Sequence, residues 1–83
     1  MKLAKFVKFR EEKFGGVLFE TRSEKVFTLN PTATAVVREI QAGTAESEIA
    51  SKVTERFDGS DADIRREVGD FLADLRGRGL LES

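Results

Sequence analysis

The sequence contains no cysteine, no histidine, no tryptophan and no tyrosine, and only one proline. Each absence removes a class of chemistry. Without cysteine there is no disulfide framework, no thiolate nucleophile, no thiolate-held zinc and no cysteine-ligated iron–sulfur cluster. Without histidine there is no imidazole base, no Ser-His-Asp triad and no imidazole metal ligand. Carboxylates, lysine or a borrowed cofactor are all that remain for catalysis. The expectation is therefore a binding protein that is not an enzyme and needs no cofactor.

Long hydrophobic runs are also missing. Residues 1–13, MKLAKFVKFREEK, carry a charge every two or three positions and lack the continuous apolar core of an export signal. The longest uncharged stretch, VFTLNPTATAVV (26–37), contains Asn30, Pro31 and three Thr and is too short to cross a bilayer. No membrane partner is expected, and the expected location is the cytoplasm.

A strong excess of positive charge is missing too, with a net charge of −1. Nucleic-acid modules usually carry such an excess, so no nucleic-acid partner is expected. The charge is uneven, however. Residues 1–13 hold five basic residues against two acidic ones, and residues 58–78 hold six acidic against four basic. Such a dipole can steer a partner.

What is present reads as one folded domain. Hydrophobic residues make up 40% of the 83 positions and charged residues 35%, a globular rather than disordered balance. A chain of this size supports one modest core and no deep enclosed site.

Strands are expected over about residues 5–29. Lys5–Glu11 is rich in aromatic and branched residues, although its alternation slips at Phe6–Val7. Gly15-Gly16 punctuates the chain, Val17–Thr21 reads as a second strand, and Val26–Leu29 as a third after the polar connector Arg22–Lys25. Connectors this short make the strands antiparallel neighbours.

At Asn30-Pro31 the period changes. Asn30 suits an N-cap and Pro31 the first helical position. Helices are expected over about residues 31–42, 45–57 and 61–77. The second would be capped by Thr44 and ended by Asp58-Gly59, and the third capped by Ser60. Ile64, Val68, Phe71, Leu72 and Leu75 form the widest apolar stripe in the chain. The fold class is thus α+β, a three-stranded antiparallel sheet followed by three helices (βββααα, winged-helix-like). The seven Phe residues carry all the aromatic content, and in so small a domain most should be core.

Several constellations have plain structural readings. Glu11 and Glu12 are adjacent, so on a strand they point to opposite faces. Asp63, Glu67, Asp70 and Asp74 share helical rows, which reads as a solvated face rather than a metal site. Gly15-Gly16 lacks the pattern and the following helix of a phosphate loop. Helices two and three outline a helix-turn-helix, which makes a DNA-binding winged-helix regulator the alternative function. The third helix, however, starts with Asp61-Ala62-Asp63, where phosphates would meet like charge. The third strand offers more, because an open sheet edge beside the apolar stripe of helix three can pair with an extended peptide.

Arg10-Glu11-Glu12, Gly15-Gly16-Val17-Leu18-Phe19, then Val26-Phe27-Thr28-Leu29-Asn30-Pro31-Thr32-Ala33, and finally Phe71-Leu72 with Leu75 and Gly79-Leu80-Leu81 together resemble the PqqD family. These are small peptide-binding chaperones whose fold is also called the RiPP recognition element. The resemblance runs from about Phe6 to Leu81. The turn Thr21–Lys25 departs from it in lacking the Gly common there in relatives.

The resemblance implies a protein that binds the leader of a ribosomally made precursor peptide as an added strand. It would then present that leader to a modifying enzyme, often a radical-SAM enzyme. Carried onto this sequence, the strand is Val26, Phe27, Thr28 and Leu29, and the helix wall is drawn from Ile64, Arg65, Val68, Phe71, Leu72 and Leu75. Arg65 would pair with acidic residues of the leader. The chain would act as a monomer or a strand-swapped dimer.

Overall fold

The computed structural model describes residues 1–82. In chain order the elements are β1 (Lys2–Leu3), β2 (Val7–Glu12), β3 (Gly15–Glu20), β4 (Lys25–Leu29), α1 (Pro31–Gln41), α2 (Glu46–Thr54), α3 (Asp61–Gly77) and β5 (Leu81–Glu82). β2, β3 and β4 form an antiparallel sheet in that order, so the expected α+β meander and three helices are what the chain adopts. An additional pairing joins β1 to β5, with Lys2 opposite Glu82 and Leu3 opposite Leu81. Two-residue strands carry no readable period, so nothing in the sequence announces this clasp. Leu80, just before it, is buried in the core.

The first long strand begins at Val7 rather than Lys5, which removes the slip in alternation. Phe6 lies outside the strand, with the Arg22 guanidinium 3.6 Å from its ring centre. The register aligns Phe9, Leu18 and Phe27 in one row across the sheet. Directly opposed residues share a face, and this row is the one turned to the helices, with Leu18 only 1% exposed. Val17, Phe19 and Val26 belong to the other face.

Two glycines set the distance between sheet and helix. A Cβ at Gly16 would lie 2.9 Å from both Thr34 Oγ1 and a Phe9 ring carbon. A Cβ at Gly15, whose φ is +147°, would lie 2.1 Å from the Leu29 carbonyl oxygen. Only a residue without a side chain lets the end of β4 and the start of α1 come this close to β3.

α1 starts as expected. The Asn30 side-chain oxygen accepts from the Ala33 N–H at 2.8 Å, and Pro31 takes the first helical position. α2 departs from expectation at both ends. Its N-cap is Ala45, which makes no side-chain cap bond. Thr44 instead donates its hydroxyl to Glu39 at 2.7 Å, since this buried carboxylate needs a partner more than the helix end needs a cap. The helix ends at Thr54, before Asp58-Gly59. Ser60 caps α3 by accepting from the Asp63 N–H at 3.3 Å.

The core is aliphatic. Leu18, Ile40, Ile49, Leu75, Leu80 and the valines 36, 37, 53 and 68 are its largest fully buried side chains. Each such burial contributes about 1.5–3 kcal/mol. The expectation that most Phe residues are core is not met. None of the seven is fully buried; five pack partly against the core, and Phe14 and Phe19 are exposed. Branched aliphatics fill the thin layer between sheet and helices, and the larger rings sit around its margin.

Candidate functional site

Among the described residues, β4 pairs with β3 on one side only. On its other side, alternate N–H and C=O groups point away from the sheet. Val26 and Thr28 are exposed there, and Phe27 is half-buried.

Between this edge and α3 lies a groove of about 610 Å3. Its apolar part is made by Leu18, Leu29, Ala33, Leu75 and Leu80, with Phe27 from the strand and Phe71 from the helix. Val26, Thr28, Asn30, Glu67, Asp70, Asp74 and Arg78 complete the lining. The α3 members recur at intervals of three and four residues, so they occupy one face of the helix.

All four strand residues expected from the sequence line this groove, and so do Phe71 and Leu75 from the helix. Ile64, Arg65, Val68 and Leu72 are not in the lining, and helix geometry explains why. Val68, Leu72 and Arg65 lie roughly 60–120° around the helix from Phe71, at about 100° per residue. Val68 and Leu72 are thereby turned into the core, at 2% and 6% exposure. Ile64 is also buried and lies one turn N-terminal to Glu67. Arg65 is turned toward α2, donating to Asp61 at 3.1 Å and to Ser51 at 3.3 Å.

The polar lining is the part that sequence reasoning missed. Glu67, Asp70 and Asp74 read as a solvated face, yet their spacing continues the row of Phe71, and that was the available signal. At one end of the groove the Asn30 amide donates to Glu67 Oε2 at 3.0 Å, tying the start of α1 to α3. At the other, Arg78 Nε donates to both Asp74 carboxylate oxygens at 3.1 Å. The Arg78 guanidinium also lies 5.0 Å from the centre of the Phe27 ring.

The helix-turn-helix outline has no free basic end. Arg65 and Arg66, in the first turns of α3, are paired with Asp61 and Asp63. Among the described residues no group of three acidic side chains gathers as metal ligands. Among the same residues, no helix is long and apolar enough to cross a membrane.

A small βββααα domain with an open strand edge facing one helix is thus the class that fold and site define. The chain belongs to the PqqD family: the model for coenzyme PQQ synthesis protein D matches residues 15–81. No curated protein sequence matches it. Among solved structures, TbiB1 in complex with the TbiA(beta) leader peptide superposes with a TM-score of 0.84 at 22% identity, covering 100% of this chain and 96% of that one. Lasso peptide synthetase B1 complexed with the leader peptide gives 0.80 at 22% identity, covering 99% and 96%. SuiB of Streptococcus suis gives 0.52 at 20% identity, covering 95% of this chain but 22% of SuiB. At these identities the likeness is one of fold.

Proposed function

We propose that this chain is a non-enzymatic adaptor that binds the leader of a ribosomally synthesised precursor peptide as a fourth strand on β4 and presents it to a modifying enzyme in the cytoplasm. The observation that carries this reading is the open edge of β4 facing α3 across an apolar groove. Main-chain hydrogen bonds along the edge supply affinity, and side chains entering between Phe27 and Phe71 supply selectivity. Membership of the PqqD family supports the reading, as do two structures of the same fold that carry leader peptides. The family resemblance favours a radical-SAM enzyme as the partner.

The test is a fluorescence-anisotropy titration with the labelled leader of the precursor encoded beside this gene. Thr28→Pro disturbs the strand edge, and Phe71→Glu places a charge in the apolar part of the groove. Each is expected to weaken binding about tenfold or more. Affinity unchanged by both substitutions, in variants that remain folded, refutes the groove.

A further inference from the structure

The charges on α3 are sorted by face. Its three arginines and Arg78 at its C-cap are all engaged with acids: Arg65 with Asp61, Arg66 with Asp63, Arg76 with Glu46, and Arg78 with Asp74. Two α3 carboxylates have no cationic partner among the described residues, and both line the groove. Glu67 is met only by the neutral Asn30 amide, and Asp70 makes neither an ion pair nor a side-chain hydrogen bond. Arg78 is the one basic residue in the lining, and it is committed to Asp74 and the Phe27 ring.

From this asymmetry we infer that the peptide taken by the groove carries Lys or Arg side chains on the side it turns to α3. The inference rests on the peptide-binding reading given above and specifies its ligand. It reverses the acidic leader that Arg65 suggested, because Arg65 faces α2. Alternate residues of an added strand point the same way and lie about 6.7 Å apart. One turn of α3, from Glu67 to Phe71, rises about 6 Å. A basic residue beside Glu67 and Asp70 and an apolar one two positions along, against Phe71, therefore fit together. An acidic side chain there would meet uncompensated negative charge. Each exposed pair is worth a few-fold in affinity, and two about tenfold at low salt, with the gain fading as salt screens it.

The experiment is selection of random linear peptides displayed on phage against the full chain at low salt, followed by sequencing. The Glu67→Gln/Asp70→Asn double variant serves as comparison, since it removes the uncompensated charge and leaves the Asp74–Arg78 pair intact. The expected result is several-fold enrichment of Lys and Arg over Asp and Glu that the double variant loses. Synthetic versions of selected peptides with Lys replaced by Glu should bind about tenfold more weakly at low salt. Two results overturn the inference. Peptides whose retention requires Thr28 and Phe71 but which show no basic preference, or an acidic one, refute the charge assignment and leave the groove standing. No retained peptides, or retention unaffected by Thr28→Pro and Phe71→Glu, refutes the groove as well.

Discussion

The Asn30 side chain does two things at once: its oxygen caps α1 through the Ala33 N–H, and its amide reaches Glu67 of α3 at 3.0 Å. One residue thus stops β4, starts α1 and sets where the helical wall stands beside the strand edge. Asn30→Ala should cost about 1–2 kcal/mol, the sum of a lost cap and a lost exposed hydrogen bond. Asn30→Ser keeps a capping oxygen but cannot reach Glu67, and should stay within about 0.5 kcal/mol of the parent. Urea denaturation separates the two. Equal losses in both variants would mean that the capping half of the account is wrong.

Gly16 should tolerate no side chain. The Cβ of Gly16→Ala would press on Thr34 Oγ1 and the Phe9 ring, and overpacking of this kind costs about 1–3 kcal/mol. Thr34 itself invites the opposite change. Its hydroxyl oxygen is buried without a hydrogen-bond partner, so Thr34→Val should raise stability by about 1 kcal/mol by removing an unsatisfied polar group. Thermal melts of both variants test the packing of α1 on β3.

Glu24 carries a φ of +61° in the β3–β4 connector. A left-handed backbone strains a residue with a Cβ, whereas Gly adopts it freely. Glu24→Gly should therefore stabilise the hairpin by about 0.5–1 kcal/mol, the relief exceeding the entropy that glycine loses. A drop in melting temperature would refute the strain.

Acid should weaken the fold through two surface pairs. The side-chain hydrogen bond from Arg38 holds the Glu11 carboxyl below its ordinary value of 4.5, and that from Arg76 does the same for Glu46. A folded-state value below the unfolded one means stability that is present above about pH 4.5 and lost as pH falls through the lowered values. Melting temperature should thus be level from neutral pH down to about 5 and fall below 4.5, more steeply than in the Glu11→Gln/Glu46→Gln double variant. A parent and variant with the same acid limb would contradict this.

Arg65 should be dispensable for peptide binding, because it is tied to Asp61 and Ser51 on the α2 side. Arg65→Ala is expected to leave affinity within about twofold, whereas Phe71→Ala, at the groove, should lower it about tenfold. The reverse order would move the binding surface to the other side of α3.

Much of this architecture was legible in the sequence because its signals are local. Asn30-Pro31, Ser60 and the change from alternating to helical period each act over a few residues. They placed α1 and α3 and the three strands of the meander. What escaped depends on partners distant in the chain. Thr44 forgoes capping because Glu39 needs a hydroxyl, and β1 finds β5 across almost the whole chain. The helical wall was half legible for a related reason. Hydrophobicity marks which residues leave water, so it gathered the core-facing Val68 and Leu72 together with Phe71, on the groove side, and Leu75, which is buried in the core yet borders the groove. The resemblance carried no rotation angle for α3 that would separate the two rows. The acids at 67, 70 and 74 looked solvated because polarity cannot distinguish a surface that faces water from one that faces a ligand.

The most direct measurement is an NMR titration of the labelled chain with a peptide retained in the phage selection, read as amide shifts and amide exchange. The account predicts the largest shifts at Val26–Leu29 and from Glu67 of α3 to its C-cap Arg78, new protection of outward-pointing β4 amides, and cross-strand contacts between β4 and the peptide. Shifts centred on Asp61–Arg66 and α2, with β4 amides exchanging as fast as in the free chain, would contradict it.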